Sequence, residues 1–534
     1  MTEHWAIDIG SRSRARRSAD RTENPGRSGR LRVLFVSSEI FPLAKTGGLA
    51  DVSAALPGAL ASQGIEPLLL MPGYPCALDT AVNKRVVYEL REFSHLGDAR
   101  IVAGWTPDSG LPVWLYDCPA LFDRQGGIYQ DEQGRDWPDN ALRFGTFCRA
   151  VAAMATNWLP DVVHLNDWQT GLAALYLAQA QGPKPTTLFT IHNMAFQGIF
   201  PREATAELDL PESAFGADGI EYFGKVSFLK AGLRYADRLT TVSSTYAREI
   251  LTPEFGFGLQ GLLQARQGDL SGVLNGIDDS LWNPQTDPYL PRTFTARDLS
   301  GKHMCKAALQ RELGLKPNVE VPLVAFASRF TDQKMVDCIP KLVPTLMAEG
   351  AQLAVVGEGD RAVEAELAAL AHEYPGRVAV RIGHDEGMAH RVHAGADIVL
   401  APARFEPCGL VQMYAMRYGA LPVVRAVGGL ADTVVDATAA NIENGTACGF
   451  AFAEASAEAM TACVVRALGM WRQSITWRRL QSRAMAREVG WARSAPNYIE
   501  LYRALTNIPA ETPREEPVQA DPAQMLYEPC NPDL

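Results

Sequence analysis

The run Arg32-Val33-Leu34-Phe35-Val36 is strand-like, and shortly after it the chain reads Lys45-Thr46-Gly47-Gly48-Leu49-Ala50-Asp51-Val52. The pentapeptide Gly-Gly-Leu-Ala-Asp returns at 428–432, behind a second apolar run, Leu421-Pro422-Val423-Val424-Arg425. Each copy stands where a strand gives way to a helix. Backbone N–H groups are unpaired at such a place and attract an anion. Two such turns in two halves predict one phosphate-bearing ligand held between two similar domains.

Working outward, strand-like runs recur at 32–37, 66–71, 161–165, 187–191 and 238–242, then at 322–327, 352–356, 377–382, 397–401 and 421–425. They are rich in Val, Ile and Leu without strict alternation, as strands covered on both faces are. Helical patterns separate them, so the fold class is α/β with two doubly wound parallel sheets. Ligands in such sheets bind beyond the carboxyl ends of the strands. The domains are expected at 31–273 and 274–487, with the turn-rich stretch Leu274-Asn275-Gly276-Ile277-Asp278 at the division.

At 534 residues the chain is too long for one core. A net charge of −11, from 50 basic and 61 acidic residues, disfavours general nucleic-acid binding. The nine cysteines are an odd, scattered set with no C-x-x-C pair, which argues against a disulfide framework or zinc site and for a reducing cytoplasm. No apolar run reaches the ~18 residues a membrane span requires. Residues 1–30 are rich in Arg and Ser and read as a disordered extension. The six prolines of 508–534 mark a flexible tail.

Chemistry-bearing residues cluster at the predicted strand ends. Lys45 offers a point charge for a phosphate, and Gly47 and Gly48 permit close backbone approach. In Arg404-Phe405-Glu406-Pro407-Cys408-Gly409-Leu410 a tight turn opens a helix over 410–418, so the N–H groups of Gly409, Leu410 and Val411 are expected to face a phosphate, with Glu406 at the mouth of the turn. Arg329 and Lys334 lie five apart after another strand. Positive charge there stabilises a departing diphosphate, although solvated surface cations are the commoner fate of such residues. His192, Asp167 and Asn275 supply the polar groups expected around a sugar. His384, His390 and His393 form no dedicated ligand set, so no metal is expected.

These segments together resemble the bacterial glycogen synthase family, with the starch synthases as nearest relatives. The matching stretches are Lys45–Val52, Asp161–Trp168, Thr190–Gly198, Ser227–Gly232, Ser271–Asp278, Ser328–Lys334, Arg404–Leu410 and Gly428–Val434, in family order from about residue 31 to 505. The resemblance implies the GT-B fold, two Rossmann-like domains facing across a deep cleft, with a last helix (488–507) crossing back to the first domain. It implies glucosyl transfer from ADP-glucose to the 4-hydroxyl at the non-reducing end of glycogen or another α-1,4-glucan, with retention, release of ADP and no bound metal or cofactor.

By the same resemblance Lys45 contacts the nucleotide sugar, and Glu406 and His192 lie beside the donor glucose. Asp51 and Asp167 support the site, Asn275 lies toward the acceptor, and His384 stands near the adenine. Arg329 and Lys334 meet the diphosphate, and Cys408 belongs to the Glu406 turn. Gly428–Asp432 is expected to be a supporting wall of the donor pocket. Four positions depart from the family pattern. Gln169 replaces His, His384 replaces an aromatic Tyr, Trp137 replaces Tyr, and Met335 replaces the Gly that follows Lys334. A related transferase using UDP-glucose and a catalytically silent glucan-binding protein are the alternatives.

Overall fold

The computed structural model describes residues 30–90, 99–383 and 385–506. The expected extension (but for Arg30), the tail and His384 lie outside the described residues. The chain forms two compact units, one of residues up to 240 with 256–271 and 495 onward, the other of 241–255 and 272–494.

The first unit is built on a nine-stranded sheet. Its spatial order is Leu270–Gly272, Arg238–Thr241, Thr186–Ile191, Val162–Asn166, Arg32–Val36, Glu66–Pro72, Pro112–Asp117, Ala99–Trp105 and Val82–Leu90. The strands from Thr186–Ile191 to Pro112–Asp117 pair in parallel. The last two run antiparallel and close one edge. That edge strand is largely exposed, so it lacks the apolar run by which the buried strands are recognised. From Arg32–Val36 the chain first builds outward on one side and then crosses to Val162–Asn166 on the other. The topological switch point therefore lies at the carboxyl ends of these two strands.

The second unit repeats the plan with six parallel strands ordered Val378–Ile382, Gln352–Gly357, Leu323–Ala327, Ile398–Ala401, Leu421–Arg425 and Phe450–Phe452. Its switch point lies beyond Leu323–Ala327 and Ile398–Ala401, where the turns carrying Lys334 and Glu406 begin. Leu323, Val324, Leu353, Val355, Ile398 and Val399 are fully buried, as a sheet covered on both faces requires.

Two boundaries differ from the sequence expectation. Residues 241–255 group with the second unit, not with 31–273. Polar ties explain this. Ser243 Oγ donates to Pro407 O (2.6 Å), Thr245 N and Oγ1 donate to Asp432 (2.8 and 2.6 Å), and Gly428 N donates to Glu249 (3.0 Å). The last helix is Trp491–Thr506, and from Ala495 onward it groups with the first unit. There the Tyr502 hydroxyl meets His164 Nδ1 at 2.8 Å, and His164 Nε2 meets Thr190 Oγ1 at 2.6 Å. No described helix is long and apolar enough to cross a membrane.

Candidate functional site

In the first unit, the strand Arg32–Val36 runs into a loop that returns as the helix Gly48–Ala61. Lys45 Nζ pairs with Asp51 Oδ1 at 2.9 Å, both side chains about one-fifth exposed. The expected anion cradle at this turn is already occupied by the chain itself. Glu39, 3% exposed, accepts from Thr46 N (2.6 Å), Gly47 N (3.2 Å), Thr46 Oγ1 (2.7 Å) and the Tyr129 hydroxyl (2.7 Å). An internal carboxylate thus takes two of the N–H groups predicted to hold a phosphate. Sequence reasoning missed Glu39. The signal was a lone acid inside the apolar stretch 33–44, where burial demands partners.

Beside this loop, Asp167 and His192 end neighbouring strands. Asp167 is not glycine, yet it has φ +59° and ψ −178°. That conformation is nearly exclusive to glycine and persists only where the surroundings enforce it. Its Oδ1 accepts from His192 N (2.6 Å) and Asn193 N (3.4 Å). Asp167 therefore acts on the backbone of His192, as a positioning residue. Burial pushes its carboxyl up to about 7 against those two N–H bonds. His192 is half-buried, yet the protein packed around it disfavours the imidazolium, which is held down to about 3. His192 Nε2 lies 2.9 Å from Asn166 Oδ1.

In the second unit, Lys334 and Glu406 form an ion pair. Their turns begin on adjacent strands and are clamped together. Arg404 N donates to Gln333 O (2.9 Å), and the Arg404 guanidinium grips both oxygens of Asp337 (2.9 Å each). Gln333 Nε2 donates to Phe405 O (3.2 Å). The bidentate bonds from Arg404 hold the Asp337 carboxyl below the usual carboxylate range. Arg329 is exposed. The sequence showed neither Asp337 nor the structural use of Arg404, because the two lie 67 residues apart with no local pattern linking them.

Met335, the residue in the family's glycine position, takes the glycine's left-handed backbone, with φ +50° and ψ +33°. Its side chain is fully buried in the core of the unit, which offsets the strain of that backbone. Past Glu406, Gly409 has φ +74°. The helix that follows is Val411–Arg417, shorter than expected. Its first internal bonds run from Met413 N and Tyr414 N to Leu410 O, so Gly409, Leu410 and Val411 precede them, as donors at a helix start do. Cys408 is buried, and burial pushes its thiol up to about 12.

The second Gly-Gly-Leu-Ala-Asp copy stands behind this turn. Gly429 N donates to Glu406 O (3.1 Å) and Pro407 O (3.2 Å). Gly428 has φ +46°, and a Cβ built on it would lie 1.9 Å from Glu406 O. The two copies of one pentapeptide are therefore unequal. The first is filled by Glu39, and the second braces the backbone of Glu406.

Asn275 is buried, and its Oδ1 has no hydrogen-bond partner among the described residues. It lines a small pocket with Asp432, Arg487, Arg493 and Ser494. Trp137 anchors its loop by donating from Nε1 to Gly127 O (3.0 Å), with Arg124 over its ring. Gln169 is buried with Oε1 unpartnered among the described residues. No described group of three His, Cys, Asp or Glu is placed to hold a metal ion.

The family model "Starch synthase catalytic domain" matches residues 32–265, and "Glycosyl transferases group 1" matches 314–469. The chain is 52% identical over 481 residues to a glycogen synthase of Burkholderia thailandensis, covering 89% of this chain and 90% of that one. It is 50% identical over 483 residues to a glycogen synthase of Paramagnetospirillum magneticum, covering 89% and 98%. Among solved structures, the catalytic domain of starch synthase IV from Arabidopsis thaliana, bound to ADP and acarbose, superposes with TM-score 0.82 at 30% identity, covering 90% of this chain and all of that one. Two doubly wound units, each with its charged turns at a switch point, and these likenesses over nearly the whole described chain lead to one assignment: the chain belongs to the glycogen and starch synthase family of GT-B glycosyltransferases.

Proposed function

We propose that the protein transfers glucose from ADP-glucose to the 4-hydroxyl at the non-reducing end of an α-1,4-glucan such as glycogen, retaining the anomeric configuration. The bond from glucose C1 to the diphosphate breaks, a bond from C1 to the acceptor O4 forms, and the acceptor proton leaves with ADP. In this reading Lys334 and Arg329 neutralise the departing diphosphate together with the N–H groups of Gly409, Leu410 and Val411. Glu406 lies beside the donor glucose and holds Lys334 in position. His192 contacts the same glucose, with Asp167 fixing its backbone. Lys45, tethered by Asp51, reaches the nucleotide past Gly47 and Gly48. Asn275 serves the acceptor side, Cys408 packs under the Glu406 turn, and His384 stacks near the adenine. The protein works in the cytoplasm, without a bound metal or cofactor.

The observation that carries the reading is the Lys334–Glu406 ion pair at a switch point, in a chain about half identical to proteins named glycogen synthase. The starch synthase IV relative held ADP, which is the leaving group proposed here. The test is to incubate the purified protein with glycogen and either labelled ADP-glucose or labelled UDP-glucose and to count label in the polymer. Incorporation from ADP-glucose is expected. Preference for UDP-glucose overturns the donor assignment alone. No incorporation from either donor overturns the enzyme reading in favour of a silent glucan-binding protein.

A further inference from the structure

Asn166 is the last residue of its strand and is 1% exposed. Its Nδ2 lies 2.9 Å from Val36 O and 3.4 Å from His164 O. Both neighbours are carbonyl oxygens and can only accept, so the amide nitrogen must face them. The reversed amide would set oxygen against two oxygens. This leaves Oδ1 pointing at His192 Nε2, 2.9 Å away. An amide oxygen only accepts as well, so Nε2 must carry the hydrogen. If the hydrogen were on Nδ1, two lone pairs would meet across this contact in a buried site, at the cost of an unsatisfied polar pair.

From this geometry we infer that Asn166 is a positioning residue that locks His192 as the neutral Nε2–H tautomer, leaving Nδ1 as a hydrogen-bond acceptor for a sugar hydroxyl. The second part rests on the reading above that His192 faces the donor glucose. The ring is held from both sides. Its backbone N–H is fixed by Asp167 Oδ1 at 2.6 Å, and its Nε2–H by Asn166. Only the position and direction of the Nδ1 lone pair remain to be used, and both are set before substrate arrives. The tautomer of a histidine is ordinarily decided by the partner of its other nitrogen, and here that partner is unambiguous. The low basicity of the buried ring keeps the acceptor free of a proton at neutral pH. A carboxylate in place of Asn166 would undo this, because it favours the doubly protonated ring, in which both nitrogens donate.

The test uses the full chain labelled with 15N-histidine. Correlation of ring nitrogens with ring protons reads which nitrogen carries the hydrogen, and His192→Gln assigns the signal. The expected result is Nε2–H, with no titration between about pH 5 and 8. A hydrogen on Nδ1, or a ring that titrates in that range, overturns the inference. In Asn166→Asp, the His192 signal is expected to titrate, and kcat/KM for ADP-glucose to fall at least tenfold at low pH and recover as pH rises through that titration. A loss equal at every pH would mean that Asn166 serves only the packing. Failure of this variant to fold leaves the wild-type spectrum to decide. A wild-type Nε2–H signal in a protein that transfers no glucose would uphold the tautomer lock and sink the function reading, so the two failures are distinguishable.

Discussion

Gly428→Ala is the sharpest test of the second pentapeptide copy as a brace. The added Cβ would stand 1.9 Å from Glu406 O and 2.9 Å from its carbonyl carbon. Cβ atoms do not approach below 3.0 Å, so the two turns must separate by about 1 Å in the direction of Glu406. The clash is with backbone, which has no rotamer by which to escape. Overpacking of this kind costs about 1–3 kcal/mol, and the left-handed φ of +46° adds about 1–2 kcal/mol for a residue with a Cβ. The combined loss lowers Tm by several degrees in a unit of this size. The effect on turnover is larger, because a misplacement of about 1 Å at a reacting centre costs about 100-fold. The assay is label transfer from ADP-glucose to glycogen at saturating donor, beside thermal unfolding. The counterpart in the first copy is the control. A Cβ on Gly47 meets nothing within 4 Å, so Gly47→Ala leaves Tm unchanged, and any effect appears in KM for the donor. Wild-type turnover and Tm in Gly428→Ala would refute the bracing role.

Three further outcomes follow from single contacts. Glu39→Ala removes the acceptor of two backbone N–H groups and two hydroxyls and is expected to cost about 1–3 kcal/mol in denaturant unfolding, with a raised KM for ADP-glucose because the Lys45 turn loosens; unchanged stability would contradict this. Met335→Gly relieves about 1–2 kcal/mol of left-handed strain but gives up a buried side chain worth about 2–5 kcal/mol. A net loss of stability is therefore expected, and a more stable variant would refute the compensation. The Asp167 carboxyl rises from 3.8 to about 7 in the fold, so the folded state binds the extra proton and the contribution of Asp167 to stability falls as pH rises between about 4 and 7. The imidazoles of His164 and His192, held down to about 3, contribute with the opposite sign below about 6.5, so Asp167→Asn should make stability fall more steeply, by roughly 2–4 kcal/mol, as pH drops from about 7 to 4. An unchanged slope in Asp167→Asn would contradict the assignment.

Nearly all of the parallel framework could be read from the chain. The ten apolar runs coincide with ten strands to within one or two residues, because a strand buried on both faces has no choice but a continuous Val, Ile and Leu run. The edge strand Val82–Leu90 could not be read in this way, since it is largely exposed, and its inner neighbour Ala99–Trp105 was missed with it. The positions of Lys45, His192, Lys334 and Glu406 at strand ends followed from the alternation alone. What the sequence concealed were the partners. Nothing in the local pattern says that Glu39 fills the first glycine turn, that Arg404 grips Asp337 or that Asn166 faces His192. The pairings of Arg404 and Asn166 span 67 and 26 residues, and the turn that brings Glu39 back to Thr46 and Gly47 carries no fixed local signature. Met335 shows the converse. It stands where the family has glycine and takes a left-handed backbone, and burial of its side chain offsets the strain.

The donor-handling role of the Lys334–Glu406 pair is tested most directly by the turnover of Lys334→Ala and Glu406→Gln with labelled ADP-glucose and glycogen. Each is expected to lose at least tenfold, about 1.4 kcal/mol in barrier, with thermal unfolding near that of the unaltered protein. Wild-type kinetics in either folded variant would contradict the assignment of this pair to the transfer step.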